Sequence, residues 1–113
     1  MKLAVVVQRY GSDVNGGAEL HARYIAEHLA NHAEVEVLTT CARDYVSWRN
    51  EFDPGEDRVG NLLVRRFPVR HPRDPLIFDR WSHRVFEHRH SIAHELAWLE
   101  SEGPTSPQLI RHL

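Results

Sequence analysis

The most constraining feature is the order of patterns in the first thirty residues. Leu3-Ala4-Val5-Val6-Val7 is a short apolar run rich in β-branched residues, which reads as a buried strand. A loop carrying Gly11, Gly16 and Gly17 follows. Apolar residues then recur at Ala18, Ala22, Ile25, Ala26, Leu29 and Ala30, the stripe of an amphipathic helix over about 18–31. The chain therefore opens strand, glycine loop, helix, with Gly16 and Gly17 at the helix start. Unpaired backbone N–H groups and the positive end of the dipole meet there, and glycines let an anion approach closely. The spacing suits a phosphate or diphosphate. It suits equally a plain strand-to-helix turn.

Two better-known glycine patterns are absent. The loop lacks the G-x-G-x-x-G of dinucleotide sites and the Lys-Ser or Lys-Thr pair of a P-loop. Asp13 and Asn15 have the side chains that cap helices or bond a ligand, and capping is their commoner role. Glu19 and His21 fall in the first helical turn, near anything held at the glycines. Dipole compensation accounts for Glu19, and surface exposure for His21, without a ligand.

Val35–Thr40 reads as a second strand, which makes a right-handed βαβ unit with parallel strands. Ligands in such sheets bind beyond the carboxyl ends of the strands, which here are Gln8–Gly17 and Thr39–Asp44. Residues 41–57 have no clean period. They bring Asp44, Tyr45, Trp48 and Asn50 to that edge, then a turn at Phe52-Asp53-Pro54-Gly55. Aromatic and polar groups in such a segment suit a hydroxyl-rich small molecule, although Trp48 would serve equally as a cover for the core. Arg58-Val59 and Leu62–Phe67 flank Gly60-Asn61 as a short hairpin into a third strand. Leu76–Glu100 carries a helical stripe, as one long helix or two, ended by Gly103-Pro104. Ser106-Pro107 opens another helix. His90 and His94 have the four-residue spacing of a metal pair, but no carboxylate or cysteine completes a set, so no metal site is assigned.

Composition narrows the class. The chain of 113 residues is 42% hydrophobic, enough for one small core. A net charge of −2 with no long basic face argues against nucleic acid as a partner. Cys41 is the lone cysteine, which fits a reducing compartment, and no run approaches the ~20 apolar residues of a membrane span. The expectation is a cytoplasmic protein. Arginines between Arg65 and Arg84 supply a basic patch for peripheral membrane contact, or simply a solvated loop. Three strands make a thin parallel sheet, and the chain stops early in an apolar helix, so it reads as the front part of a longer protein.

Asn15-Gly16-Gly17-Ala18-Glu19-Leu20-His21 and Ile25-Ala26-Glu27-His28-Leu29, in that order after the opening strand, carry a resemblance to the start of the retaining glycosyltransferases of family four, which have the GT-B fold. It continues in Asp44-Tyr45-x-x-Trp48-x-Asn50, Arg66-Phe67-Pro68-Val69 and Trp98-Leu99-x-x-x-Gly103-Pro104-x-Ser106-Pro107. It spans the whole chain but only the first third or so of a family member. The resemblance implies an α/β, Rossmann-like three-layer domain with a parallel sheet, the acceptor-side part of a GT-B enzyme. The donor-binding domain and its pair of glutamates would lie outside this chain. It also implies that Gly16 and Gly17 lie against the diphosphate of a nucleotide-sugar donor. Asn15, Glu19, His21, Asp44, Tyr45, Trp48 and Asn50 become candidates for ligand or acceptor contact, the acceptor being a carbohydrate or a lipid-linked one. No cofactor or metal is implied, and no residue matches a catalytic acid, base or nucleophile. A non-catalytic module with a partial GT-B fold, pairing with a separate chain, is the competing reading. A Rossmann enzyme using another nucleotide fits less well, because no acidic residue ends the second strand to hold a ribose.

Overall fold

The computed structural model describes residues 1–113. Strand β1 spans Lys2–Val6, helix α1 spans Gly17–Leu29 and strand β2 spans Glu34–Thr40. β1 and β2 pair in parallel, with Lys2 opposite Glu34 and Val6 opposite Leu38. This is the βαβ unit that the opening pattern dictates.

The sheet has four strands, not three, and is mixed rather than wholly parallel. Strand β3, Gly55–Val59, and strand β4, Leu62–Phe67, form the hairpin about Gly60-Asn61. β4 lies parallel to β2 and antiparallel to β3, giving the order β1-β2-β4-β3. The arm before Gly60 is therefore longer than its apolar residues suggest. Gly55-Glu56-Asp57-Arg58 has no alternation to announce a strand, because β3 is an exposed edge and takes its partners from charge. Glu56 pairs with Arg65 at 2.7 Å and Asp57 with Arg66 at 3.3 Å, both on β4.

Side chains alternate across the strands, so each face has its own cover. Val35 and Val37 of β2 and Leu62 and Val64 of β4 pack with Tyr10 and with Ala26 of α1 into the main core. Leu3, Val5 and Val7 complete that face. On the other face lies helix α4, Pro107–His112, whose buried Leu109 shares a groove with Val6 and Thr40. A helix on each side of the sheet gives three layers, compatible with a Rossmann-like domain. Away from α4 the second face is polar, with Arg65 bridging Glu36 at 3.0 Å and Glu56.

The long helical stripe is two helices, α2 at Pro75–Glu87 and α3 at Ile92–Glu102. Ser91 makes the break. Its hydroxyl accepts the His94 N–H while the His94 ring accepts the Ser91 N–H, a reciprocal cap that starts a new helix. α2 and α3 pack on each other through Phe78 and Trp98, whose ring centroids are 6.2 Å apart. The Trp98 indole also donates to the Ser82 hydroxyl at 3.0 Å. Neither helix has a buried residue, and the pair extends from the sheet to give a molecule of 50 × 26 × 26 Å. No helix is long and apolar enough to cross a membrane.

Candidate functional site

The carboxyl ends of β1, β2 and β4 converge. The Val7 N–H donates to the Leu38 carbonyl, the Thr40 hydroxyl to the Gln8 carbonyl at 2.6 Å, and the Cys41 N–H to the Phe67 carbonyl. Loop 7–16 and segment 41–50 therefore lie side by side, as the βαβ argument requires.

The residue that organises the loop is Arg9, which sequence reasoning passed over. It is 5% exposed. Its guanidinium donates to Glu19 Oε1, to the Arg43 carbonyl and to the Asn15 carbonyl, each at 2.9 Å. One buried cation thus ties the end of β1 to the first turn of α1, to the loop and to the start of segment 41–50. Its only sequence signal is a charged residue two positions after an apolar run, where burial forces it to find several acceptors. Glu19 is the ionic partner of Arg9, with a side chain 11% exposed. Its carboxylate is occupied within the protein.

The two glycines differ in their surroundings. Gly16 has φ 151°, and a Cβ there would meet Glu19 Oε2 at 2.3 Å and Arg9 Nη2 at 2.9 Å. Only glycine fits over the ion pair. Gly17 has nothing within 4 Å of a Cβ position. It is the first residue of α1, and its surface faces open space. Gly16 is the N-cap, and no side chain caps the helix. The capping role expected of Asp13 and Asn15 does not occur. Asp13 instead pairs with Arg43 at 2.5 Å, and Asn15 contributes its carbonyl to Arg9. The N-cap position falls on Gly16, which has no side chain to offer, while Asp13 and Asn15 precede it and are engaged elsewhere. The first N–H groups of α1 are consequently left open beside Gly17, the geometry that accepts an anion.

The remaining candidates separate. Tyr45 is 62% exposed and lies beside the Arg9 guanidinium, 5.4 Å from it to the ring centroid, so it belongs to the glycine-loop side. Asp44 folds its own segment: Oδ1 accepts the Val46 and Ser47 N–H groups, and Oδ2 accepts the Ser47 hydroxyl at 2.7 Å. The Ser47 hydroxyl and N–H bonds hold its carboxyl below the usual carboxylate range. His21 is exposed on α1. Trp48 and Asn50 look the other way. Trp48 is 5% exposed, packs with Ala42 and Val69, and donates its indole N–H to the Glu102 carbonyl at 2.8 Å. Asn50 uses both halves of its amide on the Val69 backbone. These two anchor the root of the α2–α3 hairpin, the covering role that an aromatic in an irregular segment commonly takes.

His90 and His94 do not form a metal pair. His90 lies before α3, with Nε2 2.8 Å from Glu95 and Nδ1 facing the His88 carbonyl, while His94 is held by the cap. The four-residue spacing means a shared face only inside one helix, and the break at Ser91 removes that condition. No grouping of three His, Cys, Asp or Glu side chains placed to hold a metal ion is present.

Comparison with known proteins adds no relative: no family model, no curated protein and no solved structure matches this chain.

Proposed function

We propose that this chain is the acceptor-side portion of a cytoplasmic enzyme that transfers a sugar, with retention, from a nucleotide-sugar donor to a carbohydrate or lipid-linked acceptor. The observation that carries the reading is the open N-terminus of α1 at Gly17, at the carboxyl edge of a parallel β1-β2 pair. A leaving diphosphate gains negative charge as the glycosidic bond breaks. Backbone N–H groups aimed at it stabilise the transition state more than the ground state. The donor is a substrate here, and the chemistry needs no further cofactor from this chain. The donor's base and sugar belong to a second domain or chain across the cleft, so residues 1–113 alone bind a diphosphate weakly and do not turn over.

The contrast between the two glycines supplies the test. Gly17→Val adds a side chain where no protein atom is in the way, so the fold is retained while the anion position is filled. Binding of UDP, GDP and inorganic diphosphate is followed by calorimetry. The expected result is a loss of at least about tenfold in affinity at unchanged thermal stability. Unaltered diphosphate binding by Gly17→Val moves the loop out of the site. A second reading, a non-catalytic module that completes its sheet with another chain, draws on the unpaired edge of β1. It predicts no binding of any nucleotide diphosphate, by the wild-type chain or by its assembly with that partner.

A further inference from the structure

We propose that the groove between α2 and α3 is a binding site for a small organic phosphate, separate from the glycine loop. The groove has a volume of about 410 Å³ and is lined by Ile77, Arg80, Trp81, Arg84 and His94. Arg9, Arg23, Arg43, Arg65, Arg66 and Arg70 each hold a carboxylate. Arg80 and Arg84 hold none and donate to no carbonyl, a state shared by Arg49, Arg89 and Arg111, but of these five only Arg80 and Arg84 line the groove. They stand one helical turn apart on the same face of α2, so their guanidiniums can close on one anion. The acid in the last turn of that helix, Glu87, is taken by His83 at 2.6 Å.

Two further groups set the class of ligand. His94 Nδ1 accepts the Ser91 N–H at 3.0 Å, which assigns the ring proton to Nε2 and makes that nitrogen a donor. The cap that begins α3 thus also fixes which way the imidazole donates. Trp81 and Ile77 give the groove an apolar wall, with the Trp81 and His94 rings 5.9 Å apart. The other hairpin indole, Trp98, is committed to Ser82, whereas the Trp81 N–H has no partner in the protein. Two cations, a neutral donor and a half-buried aromatic ring fit a phosphate ester with a ring or apolar body: phosphate across Arg80 and Arg84, body against Trp81.

Phenyl phosphate is the smallest probe with both parts. It is titrated into the full 113-residue chain labelled with ¹⁵N, with the indole N–H resonance of Trp81 as the readout, assigned through Trp81→Phe. The expected result is a saturable shift of that resonance, with tighter binding than inorganic phosphate. Arg80→Gln with Arg84→Gln weakens binding at least about tenfold, because two charge-assisted hydrogen-bond donors are lost. Arg89→Gln and Gly17→Val leave it unchanged, so the result is independent of the glycine loop. No shift, or a shift that survives in the double variant, overturns the proposal. So does sedimentation with phosphatidylglycerol vesicles without any response to phenyl phosphate, since the arginines would then face lipid headgroups.

Discussion

Arg9 and Glu19 show how one pair of side chains can set a whole loop. Both are nearly buried, and the pair sits directly beneath Gly16. Removing one partner leaves the other charge desolvated, a far larger loss than for an exposed ion pair. Arg9→Met is expected to cost about 3 kcal/mol, measured by urea denaturation. Adding Glu19→Gln should recover part of that loss, because the stranded carboxylate is gone. An additive result in the double variant would mean that the pair is not coupled. Tyr10, next in sequence, is 1% exposed with a hydroxyl that has no partner, and burial raises its pKa above the usual tyrosine value. The Arg9 contacts were not legible from residue types, because a lone arginine after a strand is compatible with solvent. Gly16 was legible as a glycine at the helix start, but that it lies over an ion pair needed the position of Glu19.

The α2–α3 hairpin is built differently from the sheet. Its stability rests on Phe78, Trp81, Val85 and Trp98, none of them fully buried, and on the Trp98–Ser82 hydrogen bond. Its root is fixed by Trp48 and by Arg73, which both donate to the Glu102 carbonyl at 2.8 Å. Strands β2 and β4 are interior and carry the fully buried Val37, Thr39 and Val64. Local opening should follow that difference. Native-state hydrogen exchange is expected to show α2 and α3 exchanging by a sub-global opening while β2 and β4 exchange only on global unfolding. Equal protection in both regions would contradict this. The hairpin was only half legible in the sequence. The stripe of Phe78, Trp81, Val85, Ile92, Leu96 and Leu99 gave helix correctly, but periodicity does not register a reversal of direction. The signal for the break was the Ser91-x-x-His94 cap, in which a histidine replaces the usual Glu or Gln.

At the scale of the whole molecule, the two sheet edges contrast. The β3 edge is Gly55-Glu56-Asp57-Arg58-Val59, whose charges discourage further pairing. The β1 edge is Lys2-Leu3-Ala4-Val5-Val6, with Val6 52% exposed and no proline or inward charge to guard it. An open apolar edge of this kind recruits another strand. The isolated chain is expected to associate with rising concentration, and Ala4→Lys, at an exposed position within that strand, to suppress the association. Sedimentation velocity of the two proteins checks this, and a monomeric wild-type chain at high concentration would refute it.

The local pattern determined the βαβ unit, the helix beginning at the glycines and the hairpin about Gly60-Asn61. Each depends on contacts between residues near in sequence, or on a period that one strand or helix carries alone. It also placed Gln8–Gly17 and Thr39–Asp44 at one edge, because a parallel crossover leaves no other choice. Only the tertiary structure decided which polar groups were free there. Arg9 meets Glu19, Asn15 and Arg43 across as many as 34 positions, Trp48 meets Glu102 across 54, and Asn50 meets Val69 across 19. A hydrogen-bonding side chain has the same composition whether its partner is protein or ligand. What separates the two is a long-range contact, and no periodicity encodes that.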